Sequence, residues 1–456
     1  MPSSRTKPST FIFISQIATS LFTMDDARRF ADIVPIPFKI VALLQIGIGF
    51  WYLLVKICYE VYLLNILELL NLSYSPHNYG DTGERMPSGE AATTIPADSK
   101  ENHLLLTGIK SNFKRLLVVN CTLFVNCKVV LYFVSDQGDQ TKDHILQGIY
   151  YVLSLAAIMT TIGGIFHSTT NPRELGQFRL HSSIKRIMLG GINSNTMRTN
   201  DILLSDTLTS YSKVLNDCGL YIWTLVFSSN PYDPKLEFVV LIIPTLIRMK
   251  QCWHEYKRTN KLQHALNLTK YSTAIGPLFI NLLIKLTLAT FNPENKEDLQ
   301  KEAVLHHLSY LNKWWYVLST LNAVYTFIWD IKMDWGFQAF DSFFTTTPSV
   351  VILRPHRHLY FKSYLFYYFA IVLDFVLRFL WVLKLFIVHE NENTGYAHMV
   401  GAFLFGSDAL SFGYTLVEFL EIFRRWVWCF LKLESDWGKL QDSGIQLELR
   451  PFQTKV

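Results

Sequence analysis

Charge is scarce in this 456-residue chain: Asp, Glu, Lys and Arg make up 17% of it, against 50% hydrophobic residues and 14% aromatics. So small a polar complement excludes an ordinary soluble domain of this length and makes a polytopic membrane protein, seated in a lipid bilayer, the default. The formal charge of +5 is too small to argue for nucleic acid, and Lys and Arg lie in short segments between apolar runs, not in one patch. The six cysteines, Cys58, Cys121, Cys127, Cys218, Cys252 and Cys429, include no CxxC pair and no His at metal spacing, so they read as buried free thiols. Enzyme signatures are also missing: the HE pairs at His254 and His389 do not complete HExxH, and no GxxxxGK[ST] loop occurs. No enzymatic activity, metal or cofactor is expected, and transport would have to run down a gradient or be coupled to ions. Arg5 and Lys7 before an apolar stretch imitate a signal peptide, but Ser15 and Gln16 break its core. Met24 begins a run that would itself make a cytosolic start, so residues 1–23 are expected to be dispensable.

What is present is a series of apolar runs. Ten approach the length needed to cross a bilayer: 38–55, 59–73, 114–134, 146–167, 201–228, 235–250, 270–290, 311–330, 361–388 and 401–431. The second is the weakest, because Glu60 and Glu68 interrupt it. Connecting segments alternate between basic (with Arg28, Arg29 and Lys39; Lys110, Lys114 and Arg115; Arg173 to Arg198; Arg248 to Lys261; Lys332, Arg354 and Arg357) and acidic or neutral (DQGDQTKD, NPYDPK, HENENTGY). The positive-inside rule then predicts an all-α protein of about ten spans with both termini cytosolic. The expected organisation is a cytosolic segment 1–37, two spans at 38–73, a linker at 74–113, a transmembrane core at 114–432 and a cytosolic tail at 433–456. Residues 75–102, rich in Pro, Gly, Ser and acids, read as disordered, and 173–186 as an interfacial amphipathic helix. An alternative reading of the first two spans is a homodimer contact.

Several runs carry ionisable residues where lipid would reject them, at a cost of about 2.5–3.5 kcal/mol each near the bilayer centre. Asp374, Arg378 and Trp381 follow i, i+4, i+7, so a continuous helix would stack them on one face. Glu421 groups with Arg424 and Arg425 near the end of the last run, which also carries Glu418. The run at 201–228 is the most polar, with Asp206, Thr209, Ser210, Lys213, Asn216 and Asp217 on one stripe that either seals against partner helices or lines a watery route. Lys270 and Tyr271 open one span, and Trp329 and Asp330 close another, followed by Lys332, Asp334 and Trp335; each group alone reads as an interfacial belt. Arg378 either pairs with Asp374 or receives an anion, and the two roles are compatible. A guanidinium matches phosphate with paired donors and stays charged, so clustered Arg and Lys point to an oxyanion.

At these residues the chain resembles the EXS family. The strings YTFIWDIKMDWGF (325–337), AIVLDFVLRFLW (370–381) and LEIFRRWVWCFLKLE (420–434) look like its signatures, with LLSDTLTSYS, IRMKQCW and NLTKYSTA upstream. The resemblance covers about residues 35–435. One branch, the plasma-membrane phosphate exporters that include a retrovirus receptor, carries an N-terminal SPX domain; only 37 residues precede the first expected span, so no SPX domain is expected. The fungal Golgi branch implies return of inorganic phosphate, the by-product of glycosylation, from lumen to cytosol, with support for glycosyltransferase recycling and retention of luminal endoplasmic-reticulum proteins. The resemblance implies a phosphate route past Asp206, Ser212, Lys270, Tyr271, Asp330, Arg378, Trp381, Glu421, Arg424 and Arg425. Thr209 stands where the exporters have Asn, so a hydroxyl replaces an amide there. The alternative is a non-transporting sorting factor that binds glycosyltransferase tails or coat proteins through 75–102 or 433–456.

Overall fold

The computed structural model describes residues 30–61, 99–136, 140–166, 175–192, 198–227, 231–290, 298–339, 352–354, 359–361, 363–388, 400, 403–405 and 410–453. Among these residues there is no strand; they form twelve α-helices. In chain order these are α1 (Ile36–Glu60), α2 (Ser99–Asp136), α3 (Gln140–Phe166), α4 (Leu175–Met188), α5 (Arg198–Ser210), α6 (Ser212–Val226), α7 (Pro234–Thr259), α8 (Leu262–Thr290), α9 (Asp298–Trp329), α10 (Tyr364–Arg378), α11 (Leu383–Val388) and α12 (Phe412–Gln453).

Among the described residues, five stretches are long and apolar enough to cross a membrane: Ile36–Cys58, Leu106–Val134, Lys142–Phe166, Leu262–Thr290 and Tyr364–Leu385. Their outer faces carry exposed Val118, Val125, Val152, Met159, Leu365 and Val372, while Asp206, Arg248, Asp330, Asp374 and Glu418 are buried. Apolar outside and charged inside is the distribution lipid imposes, because only the bundle interior can compensate a charge. The chain is an all-α multi-pass membrane protein. Helix α1 packs on α2, α3, α6 and α12, while α7, α8 and α9 form a consecutive antiparallel layer. Helix α12 lies between the two groups, touching α1, α5 and α10.

Several expected boundaries move. The span at 201–228 is two helices, interrupted at Tyr211 (φ −92°, ψ 7°). The hydroxyls of Ser205, Thr207 and Thr209 all donate to carbonyls three or four residues back, a local competition that bends helices. The Tyr211 N–H is shared between Thr207 and Leu208 at 3.2 Å each. The span at 361–388 also breaks, at Phe379, into a 3-10 turn Leu380–Val382 before α11. Trp381 therefore does not continue the Asp374–Arg378 face. The last span starts at Phe412 and runs past Leu431, and Leu433 and Glu434, expected in an exposed tail, are buried. Helix α2 begins at Ser99, inside the stretch expected as linker, and residues 62–98 lie outside the described residues.

At two glycines a side chain would be strained, one through a close approach and one through its backbone conformation. A Cβ on Gly413 would come within 1.8 Å of the Phe403 carbonyl oxygen, a backbone atom that cannot rotate away. Gly413→Ala is expected to destabilise the protein by about 1–3 kcal/mol, as overpacking does; thermal unfolding in detergent measures it. Gly336 has φ +68°, a left-handed value that glycine adopts without strain. It reverses the chain directly after the π-turn Asp330–Asp334 that ends α9.

Candidate functional site

The charged residues of the bundle interior converge where α5, α7, α8, α10, α12 and the π-turn meet. Helix α7 runs from a Pro234 start, N-capped by Asp233, to the left-handed Asn260, beyond the expected limit of residue 250. Arg248, counted with the cytosolic loop charges although it stands near the end of the expected span, therefore lies within the helix and is 2% exposed. Its Nε reaches Asp206 Oδ1 at 2.6 Å, and its Nη1 donates to Ser205 Oγ and Gln251 Oε1. Tyr271 Oη donates to the same Asp206 oxygen at 2.6 Å and accepts from Arg248 Nε at 3.1 Å. Tyr271→Phe removes both bonds and leaves Asp206 short of a donor, so a loss of about 1–3 kcal/mol in unfolding free energy is expected, read by thermal or denaturant unfolding.

Lys270 and Tyr271 are thus not interfacial anchors. Helix α8 starts at Leu262, which puts both residues two turns inside it, and both are buried. The Lys270 ammonium lies 4.7 Å and 5.3 Å from the ring centroids of Tyr271 and Trp329 and 3.7 Å from Asp334 Oδ2. Cation–π attraction holds it there, with no hydrogen bond to any described residue. The residues after Asp330 are likewise not a solvated belt: Trp335 is buried, and burial pushes the Asp334 carboxyl up to about 6 against the opposing pull of Lys270 and Lys432.

Asp330, Asp374, Arg378, Glu421 and Arg424 form one connected array. Arg378 bonds Asp330 and, through Nε at 2.9 Å, Asp374 one turn earlier. Arg424 Nη1 lies 3.0 Å from Asp374 Oδ1 and 3.8 Å from Asp330 Oδ2, and the rest of its guanidinium grips Glu421. Arg425, one residue on, differs: its Nε donates to Ser210 Oγ at 3.0 Å and its guanidinium lies over Trp428. Among the described residues it makes no ion pair. Asp206 and Asp330 nevertheless feel the charges of both Lys270 and Arg425.

Five cations (Arg248, Lys270, Arg378, Arg424 and Arg425) therefore face five carboxylates (Asp206, Asp330, Asp334, Asp374 and Glu421). Arg378 and Arg424 are hydrogen-bonded to carboxylates and Arg248 is ion-paired with Asp206, whereas Lys270 and Arg425 keep unspent donors near Asp206 and Asp330. The remaining expected residues stand apart. The Thr209 hydroxyl donates to the Asp206 carbonyl at 2.7 Å, Ser212 is half-buried at the start of α6, and Trp381 packs on Trp315 and Tyr316 of α9. Besides Arg248, sequence reasoning missed Lys39, 2% exposed, and Arg354, 7% exposed, both expected in cytosolic segments. Arg354 pairs at 2.5 Å with Glu434, which also accepts from the Tyr360 and Phe361 N–H groups. An αL-prone Asn260 downstream was the available signal for Arg248; for Lys39, ten residues from the nearest other cation in the first turn of α1, there was none.

Several known proteins are similar in sequence to this chain. Protein ERD1 of Saccharomyces cerevisiae is 28% identical over 253 residues, 56% of this chain and 59% of the relative. The xenotropic and polytropic retrovirus receptor 1 homolog of Xenopus laevis is 29% identical over 253 residues, 52% of this chain and 32% of the relative. Solute carrier family 53 member 1 of Mus terricolor is 28% identical over 256 residues, 52% and 32% of the two chains. The matched region thus spans about three-fifths of the first of these relatives and about a third of the other two. The profile of the EXS family matches residues 34–438, nearly the whole chain, and the protein belongs to that family.

Proposed function

We propose that the protein moves inorganic phosphate across a Golgi membrane from lumen to cytosol, and thereby supports glycosyltransferase recycling and retention of luminal endoplasmic-reticulum proteins. The observation that carries this reading is the pair Lys270 and Arg425: a buried and a half-buried cation in a membrane bundle beside a charge-balanced array, with donor capacity left for an anion. Phosphate leaves water only where cations replace its hydration. Arg378 and Arg424 would take part by exchanging a carboxylate for a phosphate oxygen, and the carboxylates would take them back, since passage requires release. No covalent bond is made or broken. That one relative bears the name of a solute carrier fits a transport role.

The reading takes α1, α2, α3, α5–α6, α7, α8, α9, α10–α11 and α12 as nine of ten spans, with both termini cytosolic. Most of the expected second span, 59–73, and the first part of the expected linker, 74–113, lie outside the described residues. Golgi-enriched vesicles containing the protein are expected to release labelled phosphate generated inside them by glycosyl transfer, and vesicles from cells lacking it to retain that phosphate. Equal release from both would contradict the assignment.

A further inference from the structure

The polar seam continues beyond the candidate site. Helices α5–α6 and α12 run antiparallel along it: Ser210 meets Glu421 and Arg425, and farther along α6 Asp217 meets the same ammonium as Glu418. That ammonium is Lys39 of α1, which ion-pairs with Asp217 and lies 3.0 Å from Glu418 Oε2. Both carboxylate side chains are 0% exposed. Apart from Lys39, no described donor satisfies either of them, and Glu418 comes within hydrogen-bonding range of Asp217. The Tyr414 ring lies between two ammoniums, 4.9 Å from Lys39 and 5.5 Å from Lys213. The other titratable groups facing this end are Cys218 of α6 and Tyr232, with Glu421 one turn along α12 and Glu237 of α7 toward Tyr414.

Two carboxylates in contact, cut off from water and sharing one ammonium, are short of exactly one kind of group: a donor between them. A proton supplies it, because a protonated carboxyl donates to its ionised neighbour. We propose that Asp217 and Glu418 form a proton-binding site, positioned by Lys39, whose occupancy is coupled to anion passage along the seam. With the proton bound, Lys39 and Lys213 face a single negative charge and this end of the seam is positive; without it the end is neutral. Proton and anion therefore favour each other, and by linkage the effect is reciprocal. In each cycle the proton comes from the compartment that phosphate leaves and goes to the compartment it enters, and both carboxyls return to their starting state. The coupling rests on the phosphate reading above; the proton site itself does not.

The test is pH-difference infrared spectroscopy on the purified full-length protein, with phosphate flux in liposomes run alongside. Between about pH 4 and 9, the wild type is expected to show a protonated-carboxyl C=O band that is lost in both Glu418→Gln and Asp217→Asn. Inorganic phosphate should move its midpoint upward by about 0.7 pH unit or more, a fivefold coupling. If either variant fails to fold, as thermal unfolding would show, the wild-type band and its phosphate shift still decide. No band, or a band unchanged in both variants, overturns the proton site; a band that ignores phosphate overturns the coupling. Normal flux with no band sinks this inference alone, whereas a band without flux sinks the transport reading and leaves the site standing.

Discussion

Arg424→Ala is expected to destabilise the protein by about 3–5 kcal/mol, the range for breaking a buried ion pair from one side. The guanidinium bonds Asp374 and Glu421 and lies within ion-pair distance of Asp330, so its removal leaves Asp330 and Asp374 sharing Arg378 and leaves Glu421 with no ion pair among the described residues. Arg424→Lys keeps the charge but loses the fork that serves α10 and α12 at once, and should recover only part of the loss. Thermal unfolding in detergent measures both. A shift no larger than that of a surface substitution would mean that water reaches the array and compensates the orphaned acids.

Asp330→Asn tests the opposite arm of the same balance. Asp330 bonds Arg378 and lies beside Arg424, and Lys270 and Arg425 also bear on it. Neutralising it leaves the array with one positive charge in excess. Phosphate should then bind more tightly, by about tenfold or 1.4 kcal/mol, while flux falls, because an anion held without a competing carboxylate leaves slowly. Scintillation binding and liposome flux on one preparation separate the two effects. Weaker binding together with slower flux would make Asp330 a scaffold residue and not a competitor for the cations.

The parts of this network that lie within one helix were legible in the sequence. A charge inside an apolar run is conspicuous, and helical period alone pairs Asp374 with Arg378 and Glu421 with Arg424. What joins one helix to another was not. Lys39 and Arg248 sit near the ends of their apolar runs, where a buried ion and a topology-setting loop charge look alike; only the packing of α1 and α7 against α6 and α5 distinguishes them. The breaks at Tyr211 and Phe379 carry neither Gly nor Pro to announce them, and the second removes Trp381 from the face it was expected to share. The family strings were legible because they hold these same residues, including both carboxylates of the π-turn, whose geometry no local pattern foretold.

The central claim is that cations held inside the bundle with donors to spare carry phosphate through it. Radiolabelled phosphate flux through purified protein in liposomes, compared among wild type, Lys270→Ala and Arg425→Ala, tests it most directly. Neither side chain closes a hydrogen-bonded ion pair, so both variants should fold, and both should carry phosphate at close to the rate of protein-free liposomes while the wild type conducts. Flux at the wild-type rate in both variants would contradict the account.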